Sequence, residues 1–252
     1  MMTRTAEHPS GLHVEFHPEP HHYLLEGEVL DSVTTRIHKW FPQFDAEAVA
    51  RKKAEREGLC ANTLKALWEN KRDQAAKFGT KVHLMAERMI QTGNDRAADD
   101  LPENERERRY LEAMKAAIER VRFFYEFVET EKIIFSPTAR VAGTIDVLLR
   151  NKSTGEWVVG DWKTNREIKF QAFREEKGFG PCSRLANCNF NHYSLQTAAY
   201  GELLTSNAYI ADDADVRGVL FHLKEVGGGV VCDFIKTKDL RSEAKLILEQ
   251  PG

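Results

Sequence analysis

Residues 140–164, RVAGTIDVLLRNKSTGEWVVGDWKT, decide how this chain folds. Ile145, Val147, Leu148 and Leu149 surround a single acid, Asp146, and Trp157, Val158 and Val159 lead into Asp161-Trp162-Lys163. Short β-branched and apolar runs of this kind read as strands, and NKSTG at 151–155 is a turn between them. The hairpin lays RVAGTIDVLLR beside EWVVGDWKT, and Gly143 permits a close backbone approach. Residues two apart on a strand share a face, so Asp161 and Lys163 project together while Trp162 packs behind. A carboxylate and an ammonium ending a buried strand are costly unless they are paired or bind something. The tripeptide alone decides little. The chain holds five acid-x-Lys tripeptides, and those at Glu69–Lys71, Glu167–Lys169, Glu175–Lys177 and Glu243–Lys245 fall in helical or loop contexts. What sets Asp161 apart is Asp146 on the adjoining strand. Two carboxylates facing one point, with Lys163 beside them, suit a hard cation such as Mg²⁺ or Mn²⁺. The bland alternative is a buried salt bridge between Asp146 and Lys163.

Outward from this hairpin the pattern alternates. Upstream, VEF, HYLLEG and EVL within residues 12–35 read as short strands, and Asp31 or Ser32 caps a helix beginning at Val33. Helices are predicted over 45–57, over TLKALWENKRDQAAKF up to Gly79, over about 81–91, and over about 103–128. IIFSP is a further strand. Downstream, 165–190 is irregular, HYSLQTAAYGELL is a helix, VRGVLFHLKE and GVVCDFIKT form a second hairpin around Gly227–Gly229, and a last helix covers about 239–249. This order implies a mixed α/β core with helices on its faces and a helical lobe attached.

Charged residues make up 30% of the 252 and hydrophobic residues 42%, which is neither a disordered nor a membrane composition. Thirty-six basic and 39 acidic side chains give a net charge of −3, so this is not the footprint of a general nucleic-acid coat protein. No apolar run approaches the roughly 20 residues of a membrane span. MMTRTAEHPSG lacks the apolar core of a secretory signal. An intracellular protein is expected, cytoplasmic or nuclear, in a host cell if viral. Cys60, Cys182, Cys188 and Cys232 are expected as free thiols. No GxxxxGK[ST] phosphate loop is present, so the chain carries no recognisable ATP motor.

Gly143…Asp146 followed by Asp161-x-Lys163 resembles the core motif of the PD-(D/E)XK nuclease superfamily. Gly79-Thr80-Lys81-Val82-His83 resembles the GTxxH motif of its RecB-like branch, and Gln196-Thr-Ala-Ala-Tyr200 resembles that branch's QxxxY. The motifs occur in the family's order across residues 79–200. The stretch from His22 to Thr34 is also similar to stand-alone members, including phage, large-virus and mitochondrial genome maintenance exonucleases. The resemblance implies a restriction-endonuclease-like mixed sheet flanked by helices. It divides the chain into an N-terminal part, residues 1–78, with strands and a helical DNA-binding lobe, and a nuclease core, residues 79–252. It also implies a divalent-metal-dependent deoxyribonuclease. His83, Asp146, Asp161 and the Trp162 carbonyl would hold Mg²⁺ or Mn²⁺. The metal would polarise the phosphoryl oxygen and lower the pKa of a water. Lys163 would orient that water and neutralise charge on the phosphate. Gln196 and Tyr200, four apart on one helix face, would steady Lys163 and touch the DNA backbone. Read without the motif, His83 is a packed residue beside Phe78, Val82, Met85 and Met89. Glu87 could hold a second metal or be a solvated charge.

Residues 36–81 hold eleven Lys/Arg and six Asp/Glu, a surplus of five positive charges, together with Trp40, Phe41, Phe44 and Trp68. Cations that track phosphates and rings that stack on bases suit a single strand. Trp40, Lys52, Lys53, Trp68, Lys71 and Arg72 are the expected contacts, against the plainer reading of two amphipathic helices with core aromatics. Some relatives carry an iron–sulfur cluster, with one Cys before the nuclease motifs and three after QxxxY. Here only Cys232 follows Gln196, so no cluster is expected, and Cys182-x5-Cys188 with His192 is not a common zinc spacing. The leading expectation is an exonuclease on single-stranded DNA ends, working alone or with a replication or recombination protein. A structure-selective endonuclease and a non-cleaving DNA-binding module are the alternatives. A place in DNA repair, recombination or replication rests on family analogy.

Overall fold

The computed structural model describes residues 3–19 and 21–250. The strands are β1 (Arg4–Glu7), β2 (His13–His17), β3 (His22–Leu25) and β4 (Glu28–Ser32), followed by the helices α1 (Val33–His38), α2 (Ala46–Glu57), α3 (Ala61–Thr92) and α4 (Glu105–Phe124). Then come β5 (Tyr125–Ser136), β6 (Val141–Asn151), β7 (Trp157–Lys163), α5 (Asn189–Ser206), β8 (Val216–Val226), β9 (Gly229–Lys236) and α6 (Arg241–Glu249).

The strands form one mixed sheet in the order β1-β2-β3-β4-β6-β7-β8-β9, with β5 on the other edge of β6. β6 and β7 make the expected antiparallel hairpin, and β8 and β9 the second, while β7 and β8 run parallel. Two helical layers cover the sheet. Val33, Ile37, Leu195, Ala199, Leu203 and Ile247 pack with Ile145, Leu148 and Val159 on one face. Val82, Met85, Met89, Met114 and Ile118 pack with Val147, Leu149, Trp162 and Phe221 on the other. Among the described residues no helix is long and apolar enough to cross a membrane.

Local chemistry accounts for several boundaries. The Ser32 side chain accepts from the Thr35 N–H and starts α1; Asp45 caps α2 through Ala48, and Gly58, at φ 66°, ends it. Three expectations change. The helix break expected at Gly79 is absent, and α3 runs unbroken from Ala61 to Thr92. A helical glycine costs about 1 kcal/mol, which the burial of Val82, Met85, Ala86 and Met89 outweighs. The helix expected to reach Val128 stops at Phe124, because Tyr125, Glu126 and Phe127 pair instead with Asn151, Arg150 and Leu149 of β6. Strand β1 is an addition, paired to β2 from Arg4↔Phe16 to Glu7↔His13.

The expected division between residues 78 and 79 falls inside α3. In its first half only Leu64 is buried, and this half pairs with α2 through Ala50 and Ala54 as a projecting helical arm. Its second half is buried on the sheet and carries His83.

Candidate active site

β6 is paired to β4 only at Val141 and Ala142, and to β7 only from Val147 to Arg150. Residues 143–146 therefore have β5 on one side and a gap on the other. β7 leaves β6 after Gly160 but follows β8 as far as Lys163↔His222. The parting frees the backbone of Trp162. Its N–H donates to Asp146 Oδ2 at 2.8 Å, and its carbonyl accepts from His83 Nε2 at 3.0 Å. The other ring nitrogen, Nδ1, lies 3.5 Å from Asp146 Oδ2. His83, Asp146 and Trp162 thus converge from α3, β6 and β7.

The third group at this point is Glu131, which the sequence analysis missed. His83, Asp146 and Glu131 each offer a ligand atom, all within 4.8 Å of one another. Glu131 faces Asp146 across the β5–β6 ladder, between the pairs Thr130↔Val147 and Lys132↔Ile145, yet that one pair drops out. Its φ is 50°, the left-handed region that a side chain rarely adopts. Folding the chain about residues 137–140 pairs Ser136 with Val141 and sets Glu131 opposite Asp146.

Asp161 is not among the three. It is buried, and its Oδ2 forms an ion pair with Lys163 Nζ at 2.6 Å. The bland reading of the hairpin paired Lys163 with Asp146; the ion pair observed is with Asp161. Burial and the Asp146 carboxylate push Asp161 upward, against Lys163. Burial lowers the Lys163 pKa, but Asp161 and Asp146 together hold it above its ordinary value. Burial, then Asp146, pushes Glu131 up to about 7. Asp146, Asp161 and Glu131 crowd three carboxylates around the single ammonium of Lys163, so the site is short of positive charge. Hard oxygens with one imidazole fit Mg²⁺ or Mn²⁺. His83, Asp146 and Glu131, with the Trp162 carbonyl and Asp161 adjoining, are the groups that could hold it.

Lys163 Nζ stands 4.4 Å from the Tyr193 ring centre, a second residue the sequence analysis missed although it sits one turn before Gln196. Gln196 Nε2 donates to the Tyr200 hydroxyl at 3.3 Å. Tyr200 is buried, and its ring fills the space a side chain on Gly143 would need: a Cβ there would lie 2.5 Å from it. The contacts that fix Lys163 thus come from Asp161 and Tyr193, while Gln196 and Tyr200 bond to each other beside the gap in β6. Glu87 is half-buried, accepts from Gln91 at 3.0 Å and helps to raise Glu131.

The expected strand-binding residues separate into two groups. Trp40 is packed against the core, with its indole N–H buried and without a partner among the described residues and its ring against Gly180, so it is not an open stacking platform. Its burial follows from the chain 178–182 folding over it, where the Phe179 N–H donates to the Trp40 carbonyl. Lys52, Lys53, Trp68, Lys71 and Arg72 lie on the arm. Lys52, Lys71 and Arg72 are exposed, and Trp68 is half-buried beside Phe44 with Lys53 6.0 Å from its ring centre. At 1.5 Å per residue, Lys71 lies about 18 Å along α3 from His83. A cavity of about 530 Å³ that includes Arg120, Phe124, Phe234 and Lys236 contains none of these residues.

No curated protein matches the chain. Among solved structures, the crystal structure of a "Putative exonuclease" from Eubacterium rectale is similar at 14% identity and a TM-score of 0.42, covering 68% of this chain. The match spans 64% of that protein's length. A family profile for the PD-(D/E)XK nuclease superfamily matches residues 26–246. That match takes in every element from β4 to α5 that supplies the cluster, and this chain belongs to the PD-(D/E)XK nuclease superfamily.

Proposed function

We propose that this protein is a divalent-metal-dependent deoxyribonuclease that removes nucleotides from single-stranded DNA ends. The observation that carries this reading is the convergence of His83, Asp146 and Glu131 within 4.8 Å, next to the buried Asp161–Lys163 pair. A bound Mg²⁺ or Mn²⁺ would polarise the phosphoryl oxygen and supply a nucleophilic water at neutral pH. His83, Asp146, Glu131, Asp161 and the Trp162 carbonyl are the groups proposed to hold it. Lys163, kept charged by its two carboxylate neighbours, orients the attacking water and offsets charge growing on the phosphate. Tyr193 limits where the ammonium can swing. Gln196, held by the hydroxyl of the buried Tyr200, lines the approach beside β6. In this reading residues before 79 hold the strand and residues from 79 onward cut it. Lys52, Lys53, Lys71 and Arg72 track phosphates along the arm, and Phe44 and Trp68 offer rings to bases.

End-labelled linear single strands, duplexes and single-stranded circles, each incubated with Mg²⁺, Mn²⁺ or chelator, test the proposal. Metal-dependent loss of linear single strands with circles intact is the expected result. Cut circles would make the protein an endonuclease, and binding without cleavage in either metal a DNA-binding module. Asp161→Asn is expected to abolish cleavage while single-strand binding persists; cleavage at the parent rate would place the site elsewhere.

A further inference from the structure

The elements β1–β3 precede the family match, yet they reach the site. The cross-strand registers Arg4↔Phe16 and Phe16↔Tyr23 align three residues in one row. Directly opposite residues share a sheet face. That face packs Val14, Phe16, Tyr23 and Leu25 onto Ile133, Phe135 and Ala142 of β5 and β6. Phe16 and Tyr23 stack at 4.8 Å, and the Tyr23 hydroxyl meets Thr144 Oγ1 at 2.9 Å, two residues before Asp146. At the other end of the row, Arg4 Nη2 donates to the Glu131 carbonyl at 2.6 Å, and Nη1 stands 3.8 Å from Glu131 Oε2.

Glu131 needs such a holder. It leaves the β5–β6 ladder at φ 50°, and its carboxylate faces Asp146. Like charges directly opposed on neighbouring strands repel, and a left-handed residue with a side chain costs free energy of its own. Arg4 contacts both the carbonyl that marks the break and the carboxylate that joins the cluster. Its side chain is 41% exposed, so neither contact is forced by core packing.

We infer that Arg4 is a positioning residue: it holds Glu131 in the conformation that keeps its carboxylate with His83 and Asp146, and so sets the affinity of the metal site from a strand outside the family match. This rests on the proposal that the cluster binds a divalent cation. A charge argument alone predicts the opposite sign, because deleting a nearby cation should strengthen binding of another.

Mn²⁺ titration of the full chain without DNA, followed by calorimetry and by the free-Mn²⁺ resonance signal, separates the two. Arg4→Ala is expected to weaken Mn²⁺ binding about tenfold, the size typical of groups that orient a metal ligand. Arg4→Lys should recover most of the loss, since it can still donate to the carbonyl. Arg4→Met, of similar length but without a donor, should behave like Arg4→Ala and keeps the test open if the shorter side chain unfolds β1. Thr5→Ala, next on the strand, should match the parent. Metal-free melting temperatures of the Arg4 variants should stay near the parent's, so that the loss is one of metal affinity and not of fold. Equal or tighter Mn²⁺ binding by Arg4→Ala and Arg4→Met overturns the inference. So does a loss confined to DNA affinity, which would make Arg4 a phosphate contact. If the parent itself binds no Mn²⁺, the metal reading fails first and this inference with it.

Discussion

Asp146 stands on β6 between two neighbours that present their carboxylates in opposite ways. On the β7 side the strands part. Asp161 sits on a regular strand, and the same strand supplies its counter-charge two residues later, on the same face, as Lys163 2.6 Å away. On the β5 side the strands stay together. Glu131 is brought opposite Asp146 by the ladder, escapes it only through a left-handed φ, and draws its cation, Arg4, from a strand 127 residues away in sequence. One carboxylate is accommodated by separating two strands and the other by bending one. The β7 side is therefore self-contained, whereas the β5 side depends on tertiary contacts made by β1.

That contrast predicts unequal losses. Asp146 serves both sides: it accepts from Trp162 and meets His83 and Glu131. Asp146→Asn should lower the cleavage rate by about a thousandfold, at the upper end for deleting a single electrostatic contact to the reacting groups. Glu131→Gln keeps the shape and removes one charge from the less tightly held side, so a loss of about ten- to a hundredfold is expected, most of it recovered at high Mn²⁺. Single-turnover rates across a metal titration read both. If Glu131→Gln costs as much as Asp146→Asn and metal does not rescue it, the two sides are equivalent and the contrast is broken.

The two sides also differ in how much the sequence discloses. Asp161 and Lys163 lie on a strand whose period of two is regular, and the hairpin that brings Asp146 near them could be read from RVAGTIDVLLR, the NKSTG turn and EWVVGDWKT; the change of face between Ile145 and Val147 on β6 could not. Ser32 and Gly58 likewise signal helix ends by side-chain and backbone chemistry that acts within a few residues. Glu131 was hidden because its position depends on a second hairpin, about residues 137–140, and on a backbone break that no local preference signals. Gly79 misled for the opposite reason: a strong local helix-breaker was overridden by burial of Val82, Met85 and Met89 on the sheet. Trp40 illustrates a third limit. An aromatic in a basic segment reads as a stacking ring, but the chain that covers it comes from residues 178–182.

The gap between the two sides, at residues 143–146, is itself testable. Tyr200 packs on the sheet face over Gly143, where a Cβ would lie 2.5 Å from the ring. The tyrosine is buried and cannot yield into solvent. Gly143→Ala should therefore destabilise the protein by about 1–3 kcal/mol, as overpacking of a dense core does. The urea midpoint should fall with an unchanged slope. Gly143→Ala combined with Tyr200→Phe should fare no better, because the clash is with the ring and not the hydroxyl. Full tolerance of Gly143→Ala would mean that β6 can move away from the Tyr200 ring, and that the strand is soft where its pairing is incomplete.

The smallest expected effect separates the two sides most cleanly, because it depends on backbone conformation alone. At a left-handed φ an alanine costs roughly 1–2 kcal/mol that a glycine does not, whereas in an ordinary strand glycine is worse than alanine by about 0.5–1 kcal/mol. Glu131 has a φ of 50°, and Asp161 is not among the positive-φ residues. Comparing Gly with Ala at each position removes the carboxylate from both members of the pair, so charge and metal affinity cancel. Glu131→Gly should be more stable than Glu131→Ala by about 1 kcal/mol, and Asp161→Gly less stable than Asp161→Ala by about 0.5–1 kcal/mol, both read from urea midpoints without metal. An inverted sign between β5 and β7 means that the bend at residue 131 belongs to the chain and is kept by Arg4 and the flanking pairs. If alanine is the better residue at both positions, the bend is a product of repulsion between Glu131 and Asp146. It would then relax into the ladder once the charge is gone, leaving Arg4 with nothing to hold.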